Sequence, residues 1–315
     1  MWFVMEQAQE KHRLSDRLIR AISSWPLTDI DEDDIDALIE SGADVNHRHG
    51  TLLPLHCACM VGDSDILRLL LKKGARVDEI DGYERTALHY AAERDETCVR
   101  ILLQNGAHIN QGDGNQDTPL HWASYKNNIE CVKLLLQNGA NVNAVDYNND
   151  TPISWAARKG NLCVIIALLD YNADIDVRNS RGQTALQRSA AIQASGLNND
   201  HDDMTLELLI QASGQFDLLN EDGQPFLIIA RDNRLSDIMR PLCQNVRPLL
   251  QLCRKQIRKS IGPKFLPNVI PTLPLPSRLQ EFLLLKDNKN IFSCLDNHVV
   301  IAPRHRIWTN QSHYF

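Results

Sequence analysis

The chain has 315 residues, 43% of them hydrophobic, and a formal net charge of -7, values that are ordinary for one long domain or two short ones. Its eight cysteines are too sparse for a disulfide scaffold and include no Cys-x-x-Cys pair, so we expect reduced thiols, a cytoplasmic location and no metal site. No apolar run is long enough to span a membrane, and the N-terminus lacks the basic region of a secretory signal. The absence of a phosphate-binding loop, a nucleophile elbow or a metalloprotease motif predicts a protein that is not an enzyme and needs no cofactor.

Charge is distributed unevenly along the chain. From Val246 onward there are 11 Lys and Arg residues against 3 Asp and Glu, whereas the rest of the chain has 22 against 37. An acidic body repels a phosphate backbone, which argues against general nucleic-acid binding by that part of the protein.

A four-residue motif recurs through the middle of the chain. It begins at residues 53, 86, 118, 151 and 184 and reads Thr-Pro-Leu-His at Thr118. A Gly-Ala pair recurs in phase from residues 42, 74, 106 and 139, with Asn172 in place of the Gly in a fifth copy. Thr favours the N-cap of a first helix, and Gly or Asn tolerates the left-handed backbone that ends a second one. The period near 33 residues resembles the ankyrin repeat, which predicts an all-α solenoid of helix–turn–helix repeats with β-hairpin-like turns.

The regularity fades toward both ends of the array, as it does at the caps of a solenoid. We interpret residues 1–48 as an N-terminal helix with a capping ankyrin-like repeat. Residues 49–245 are the ankyrin repeats, degenerate after residue 179 and interrupted by a solvated insertion over residues 192–204. One residue is missing between Thr86 and Gly106, which predicts a shorter helix–helix loop in that repeat.

Residues 246–286 combine a short amphipathic helix with an extended proline-rich run. Leu249, Cys253 and Ile257 share one helical face, and the polar face holds Arg254, Lys255, Arg258 and Lys259. Four prolines then remove backbone donors and favour extended conformations, at Pro267, Pro271, Pro274 and Pro276. Such a segment exposes more apolar surface than it can bury within itself, so we expect it to dock on other chains. A cap that packs only on its own domain is the alternative.

Two patterns in this segment resemble the SOCS box. The first resembles its Elongin-binding box over residues 248–257, at Pro248, Leu249, Cys253 and Ile257. The second resembles its cullin box over residues 270–283, at Ile270, Leu273, Pro274, Leu275, Pro276, Leu279, Phe282 and Leu283. The chain as far as Lys286 is similar to the ankyrin repeat and SOCS box family. This resemblance rests on the two patterns, on the repeats, and on the sequence of the stretches at residues 50–61 and 146–152.

This resemblance implies both a fold and a function. The fold is an ankyrin solenoid followed by an α-helical SOCS box. The function is that of a non-catalytic substrate receptor, in which Elongin B and Elongin C dock on the first pattern and cullin five, with its RING-box partner, docks on the second. The ankyrin groove then holds a target protein for ubiquitination and degradation. The alternative is a scaffold or inhibitor that masks a partner without ubiquitination. Residues 287–315 match no motif, and we interpret them as a flexible extension.

Several histidines and cysteines of the repeats are predicted to have structural roles. His56, His89 and His121 recur once per repeat and therefore line up along the solenoid instead of converging, which predicts hydrogen bonding between neighbouring turns. Cys98 and Cys131 stand where other repeats have Ile66 and Val164, which predicts small core residues.

The inner helices and turns are expected to line a groove that binds the target. Following the repeat register, this surface holds basic and aromatic residues, which are Tyr83, Arg94, Tyr125, Lys126, Tyr147, Arg158 and Lys159. A basic and aromatic groove favours an acidic or phosphorylated protein segment, and an ordinary solvated face is the alternative. Tyr90, Trp122 and Trp155 share one register position behind it, where we expect core contacts.

Overall fold

The computed structural model describes residues 2–24, 35–194, 200–213 and 249–285. Regular structure in these ranges is helical, with one isolated β-bridge between His49 and Leu52. The helices are α1 Trp2–Ser24, α2 Ile35–Glu40, α3 Pro54–Val61, α4 Ser64–Lys72, α5 Ala87–Arg94, α6 Glu96–Gln104, α7 Pro119–Tyr125, α8 Ile129–Gln137, α9 Pro152–Lys159, α10 Leu162–Asp170, α11 Ala185–Ala194, α12 Asp200–Ala212, α13 Leu249–Ile261, α14 Leu266–Val269 and α15 Ser277–Leu283, with a 3₁₀ turn at Ile270–Thr272.

The helices form two layers. The inner helices α3, α5, α7, α9 and α11 pack against one another in chain order, and the outer helices α4, α6, α8, α10 and α12 do the same behind them. Helix α1 packs on α2 and α3 and so takes the place of an inner helix at the N-terminal end. The predicted all-α ankyrin solenoid is confirmed. No helix among the described residues is both long and apolar enough to cross a membrane.

Capping side chains determine where the outer helices begin. Asp63 accepts hydrogen bonds from the backbone N–H groups of the first turn of α4, and Asn128 does so for α8. Asp95 caps α6 and is the single residue between α5 and α6, whereas two residues separate α3 from α4. The predicted shorter loop between Thr86 and Gly106 is therefore confirmed. At the opposite ends of the outer helices the predicted left-handed backbone is also present, with Asn172 at φ 61°.

Aspartates fix the turns between repeats. Asp113 Oδ1 accepts from the N–H groups of Asn115 and Asp117 at 2.9 and 3.0 Å, and its Oδ2 accepts from Trp122 Nε1 at 3.3 Å. The same pattern recurs one repeat earlier with Asp81 and Tyr90, and one repeat later with Asp146 and Trp155. The half-buried rings Tyr90, Trp122 and Trp155 thus brace the turns. Tyr90 packs against the core as expected, whereas Trp122 and Trp155 lie beneath Arg85 and Arg158.

The core runs between the two layers and repeats with them. Leu67, Leu102, Leu135 and Leu168, one from each of four successive outer helices, are fully buried, and each contributes roughly 1.5–3 kcal/mol of apolar burial. Cys98 and Cys131 are fully buried as predicted, and burial raises the pKa of the Cys131 thiol to about 12.

The predicted solvated insertion over residues 192–204 is narrower in the structure. Helix α11 runs on to Ala194, and α12 begins at Asp200 instead of at residue 206. The last predicted repeat, over residues 214–245, and the extension over residues 287–315 lie outside the described residues.

Candidate functional site

The repeated histidines connect neighbouring repeats. His89 Nδ1 accepts from the backbone N–H of Thr86 at 3.0 Å, so Nε2 carries the proton and donates to the Asp117 carbonyl at 2.9 Å. His121 makes the equivalent bonds to Thr118 and Asp150, and His56 Nε2 donates to Glu79. Burial lowers the pKa of all three imidazoles, that of His89 to about 4. Their predicted structural role is confirmed.

The C-terminal segment rests on the last repeats through two arginines of α13. Arg258 is buried, and its guanidinium donates to the Leu169 carbonyl of α10 and, at 3.2 Å, to the Leu283 carbonyl of α15. Arg254 is also buried and lies 3.6 Å from the ring centroid of Phe282. Two members of the predicted polar face, Arg254 and Arg258, are therefore buried instead of exposed to solvent. Carbonyl groups at the end of α10 and an aromatic face give the two cations partners that water would otherwise supply.

Asn172 binds the same helix from the ankyrin side. Its side-chain amide donates to the carbonyls of Arg258 and Gly262 at 2.7 and 2.6 Å, and its Oδ1 lies 3.4 Å from Arg258 Nε. Nearby, Lys255 Nζ lies 2.5 Å from Asp176 Oδ2. The other repeats have Gly at the position of Asn172, and Gly could not form these bonds. This departure from the repeat pattern therefore joins the two parts of the chain.

The residues of the Elongin-binding pattern lie at the start of α13. Cys253 is exposed, whereas Ile257 is half-buried against a small apolar cluster formed by Leu266, Ile270 and Leu283. Leu249 begins the helix, but its side chain lies outside the described part, as does all of Pro248.

The residues of the cullin-box pattern divide into two groups. Ile270 and Leu283 are buried in the apolar cluster, and the half-buried Leu273 and Leu275 pack against it. Phe282 is half-buried beneath Arg254. The exposed members are Pro274, Pro276 and Leu279. The first group holds the segment together, and the second is available to a partner.

The basic residues of the predicted groove also differ in the contacts that they make. Lys159 Nζ lies 4.4 Å from the ring centroid of Tyr125, and the Arg158 guanidinium lies 5.4 Å from the same centroid. The Lys159 hydrogen bond and the surrounding cations lower the pKa of Tyr125. Because Trp155 packs edge-on against Tyr125 at 5.6 Å, the two cations stand on an aromatic platform. We call Tyr125, Trp155, Arg158 and Lys159 the basic-aromatic cluster.

The remaining groove residues are farther apart or already engaged. Lys126 forms an ion pair with Glu93 at 3.0 Å, and the Arg94 guanidinium donates to the Met60 carbonyl. Tyr83 and Tyr147 are 62% and 83% exposed at the turn tips, so both rings are accessible to a partner. Among the described residues of the predicted groove, Arg158 and Lys159 contact aromatic rings, whereas Lys126 is paired with a carboxylate.

The sequence was compared with known families and proteins. Residues 28–113 and 108–179 match the family of ankyrin repeats (3 copies), and residues 245–284 match the SOCS box. Ankyrin repeat and SOCS box protein 8 of Homo sapiens is 51% identical over 285 residues, which cover 90% of this chain and 98% of the relative. The chain belongs to the ankyrin repeat and SOCS box family. The proteins of the same name from Macaca fascicularis and Mus musculus match with the same identity and coverage, as residues 50–61 and 146–152 had indicated.

In this member of the ankyrin repeat and SOCS box family, one groove residue escaped the sequence analysis. Arg85 lies 4.3 Å above the ring of Trp122 and 3.5 Å from Asp113 Oδ2. A signal was present in the repeat register, because the residue before the capping Thr is Asp117, Asp150 or Gln183 in the following repeats and basic only at Arg85. Its cation neutralises part of the acidic turn layer beneath the groove.

Proposed function

We propose that this chain is the substrate-recognition subunit of an Elongin B/C–cullin five–RING ubiquitin ligase. The observation that carries the proposal is the way α13 is buried. A helix that only capped its own domain would bury its apolar face and leave its arginines in water. Here Arg254 and Arg258 are buried and Cys253 is exposed. The exposed Cys253 leaves part of the Elongin-binding pattern open to a partner chain, and the SOCS-box match supports Elongin B and Elongin C as that partner.

The second contact of the proposed ligase is the exposed edge of the proline-rich run. Pro274, Pro276 and Leu279 project from a frame fixed by Ile270 and Leu283. Backbone bonds from Leu275 to Leu273 and from Leu279 to Pro276 hold this edge in one conformation. A pre-ordered edge loses little conformational entropy on binding, which suits it to the cullin five contact that the SOCS box implies.

The target is proposed to bind at the basic-aromatic cluster. Arg158 and Lys159 are exposed and stand over rings, so they keep a fixed direction while remaining charged. A carboxylate or phosphate of an extended target segment matches such a pair through charge-assisted hydrogen bonds. The exposed Tyr83 and Tyr147 would flank that segment at the turn tips.

The chain itself performs no chemistry in this function. It brings the target and a charged ubiquitin-conjugating enzyme into one assembly, which raises the effective concentration of target lysines. We propose that it acts in the cytoplasm, where its thiols remain reduced.

Co-purification tests the proposal. The full chain is expressed with Elongin B and Elongin C, with and without cullin five, beside a Leu249→Ala/Cys253→Ala variant. Gln256→Ala, an exposed polar change on the same helix, is the matched control. We expect the wild type and the control to recover the complex and the double variant to lose it. A folded wild-type chain that recovers neither Elongin nor cullin would exclude the ligase function and leave the scaffold alternative.

A further inference from the structure

A group of three potential metal ligands lies at the N-terminal end of the solenoid, far in sequence from the SOCS box. His12 and Asp16 are one turn apart on α1, and His47 comes from the turn that precedes the inner helix α3. One ligand atom from each of the three lies within 4.8 Å of the other two. We propose that His12, Asp16 and His47 bind a divalent transition-metal ion of the zinc class.

The spacing of the ligand atoms fits such an ion. His12 Nε2 is 3.6 Å from Asp16 Oδ2, and His47 Nε2 is 3.5 Å from Asp16 Oδ1. Both separations are long for a hydrogen bond. Two ligand atoms at zinc bond lengths of ~2.0–2.1 Å stand about 3.4 Å apart across a tetrahedral angle. Imidazole nitrogen and carboxylate oxygen are ligands that Zn²⁺ accepts, and solvent would complete the four-coordinate shell.

One of the three groups lacks a hydrogen-bond partner. Within the described part of the chain, His47 Nε2 is buried and makes no hydrogen bond, although it is directed at Asp16. Buried polar atoms in folded proteins nearly always have a partner. A metal ion between His47, His12 and Asp16 would supply it.

A fourth side chain orients the carboxylate. His49 Nδ1 lies 2.7 Å from Asp16 Oδ1, the oxygen that also faces His47, while Asp16 Oδ2 faces His12. Outer groups of this kind hold metal ligands in place and tune their basicity. The sequence carried a signal that went unused, because His12 and Asp16 have i,i+4 spacing and His47 and His49 are two residues apart.

The backbone on both sides is already fixed without an ion. Ser15 Oγ accepts from the Asp44 N–H at 2.9 Å, and Lys11 Nζ lies 3.0 Å from Asp44 Oδ2. These contacts join α1 to the turn that carries His47. The group opens onto a shallow surface groove beside Met5, Ala8 and Gln9, which gives the ion access from solvent. A bound ion would therefore tie the N-terminal cap to the first turn of the array, where a solenoid otherwise frays.

Cobalt titration of the untagged, chelator-stripped full chain tests this inference, because tetrahedral Co²⁺ absorbs visible light and reveals thiolate ligands through a separate charge-transfer band. Zn²⁺ competition then gives its affinity. The variants are His12→Ala and His47→Ala. His108→Ala is the matched control, because His108 faces one carboxylate, Asp78 Oδ2 at 2.9 Å, and no second histidine. His12 is 64% exposed, so its removal leaves the fold intact.

We expect one equivalent of Co²⁺ without a thiolate band, displaced by Zn²⁺. Each ligand variant should lower the affinity by more than tenfold and the control should not. His49→Ala should lower it by about tenfold, as loss of an outer-shell partner does. An unchanged isotherm in His12→Ala, or binding that appears only with a thiolate band, would overturn the proposal. A Zn²⁺-dependent rise in melting temperature that His12→Ala abolishes would support it.

Discussion

The bond between Asn172 and the C-terminal segment makes the most direct prediction. Replacing Asn172 with Gly restores the residue that the other repeats use and keeps the left-handed backbone at φ 61° free of strain. What is lost is the pair of hydrogen bonds to Arg258 and Gly262 and the longer contact with Arg258 Nε. At about 1 kcal/mol net for each hydrogen bond, docking of α13 should weaken by about 2–3 kcal/mol.

Hydrogen–deuterium exchange measures this change where it occurs. Since 1.4 kcal/mol corresponds to a factor of ten, exchange of the α13 amides that depends on undocking should accelerate by about 30- to 100-fold. The inner helices should be unaffected. Asn149→Gly is the matched control, because Asn149 also has a left-handed backbone, at φ 59°, but is exposed in a turn.

The reasoning fails if the α13 amides exchange at the same rate in Asn172→Gly and in Asn149→Gly. In that case the two arginines and the ion pair of Lys255 with Asp176 would hold the segment without help from Asn172. The difference between the two variants therefore measures the contribution of this one side chain.

Three further predictions concern the cullin edge, the target groove and the response to pH. The double variant Pro274→Ala/Leu279→Ala should reduce cullin five capture without changing Elongin capture or the melting temperature. Ile270→Ala, in contrast, should destabilise the segment by ~2–5 kcal/mol. Equal effects of the two variants on the melting temperature would contradict the division into an exposed edge and a buried core. Arg158→Glu should weaken binding to an arrayed library of phosphorylated and acidic peptides by about tenfold or more. The control Lys133→Glu makes the same charge change at an exposed residue of the outer helix α8 and should not weaken binding. A loss shared by both variants would point to net charge instead of the groove. For pH, His89 has a pKa of about 4 when folded against 6.5 when unfolded, so the unfolded state takes up protons first and stability falls as the pH drops from 6.5 towards 4. At pH 5 this amounts to about 2 kcal/mol for His89 alone. Asp117, whose raised pKa of about 7 favours the folded state over the same range, offsets it by a similar or larger amount. Urea unfolding should show that lowering the pH from 7 to 5 changes the free energy of unfolding by about 2 kcal/mol more in favour of the folded state in His89→Gln than in the wild type. Gln is the chosen replacement because Gln187 accepts the equivalent Thr184 N–H bond at 2.8 Å. The same pH dependence in both proteins would refute the assignment.

Sequence periodicity was sufficient for the repeated part of the molecule. Thr86, His89 and the residues in register with them play the same local role in the three repeats that have the histidine, so spacing alone predicts both the helices and their hydrogen bonds there. The position of α13 could not be predicted in that way. Arg254 and Arg258 have helical spacing that favours a solvated face, and only the arrival of α10 and Phe282 from distant parts of the chain converts them into buried contacts.

The groove shows the same limit. Register placed Arg94, Lys126 and Lys159 along one line, yet it carries no information on the partners that each one finds. Glu93 engages Lys126 across a repeat boundary, and Tyr125 and Trp155 gather Arg158 and Lys159. Pairing between side chains 30 or more residues apart depends on rotamers and packing, which a repeat pattern does not specify.

The histidine bridges also determine how far unfolding in one repeat reaches the next. Each bridge makes the start of one repeat depend on the folded state of its neighbour, so the repeats joined by His56, His89 and His121 should behave as one cooperative unit. After Asp150 the link changes, because Ser154 replaces the histidine and Arg188 meets Asp150 at 2.5 Å. This boundary is where the cooperative unit should end. The repeat that contains α11 and α12 would then open by itself in brief excursions, while the repeats that carry the basic-aromatic cluster stay folded.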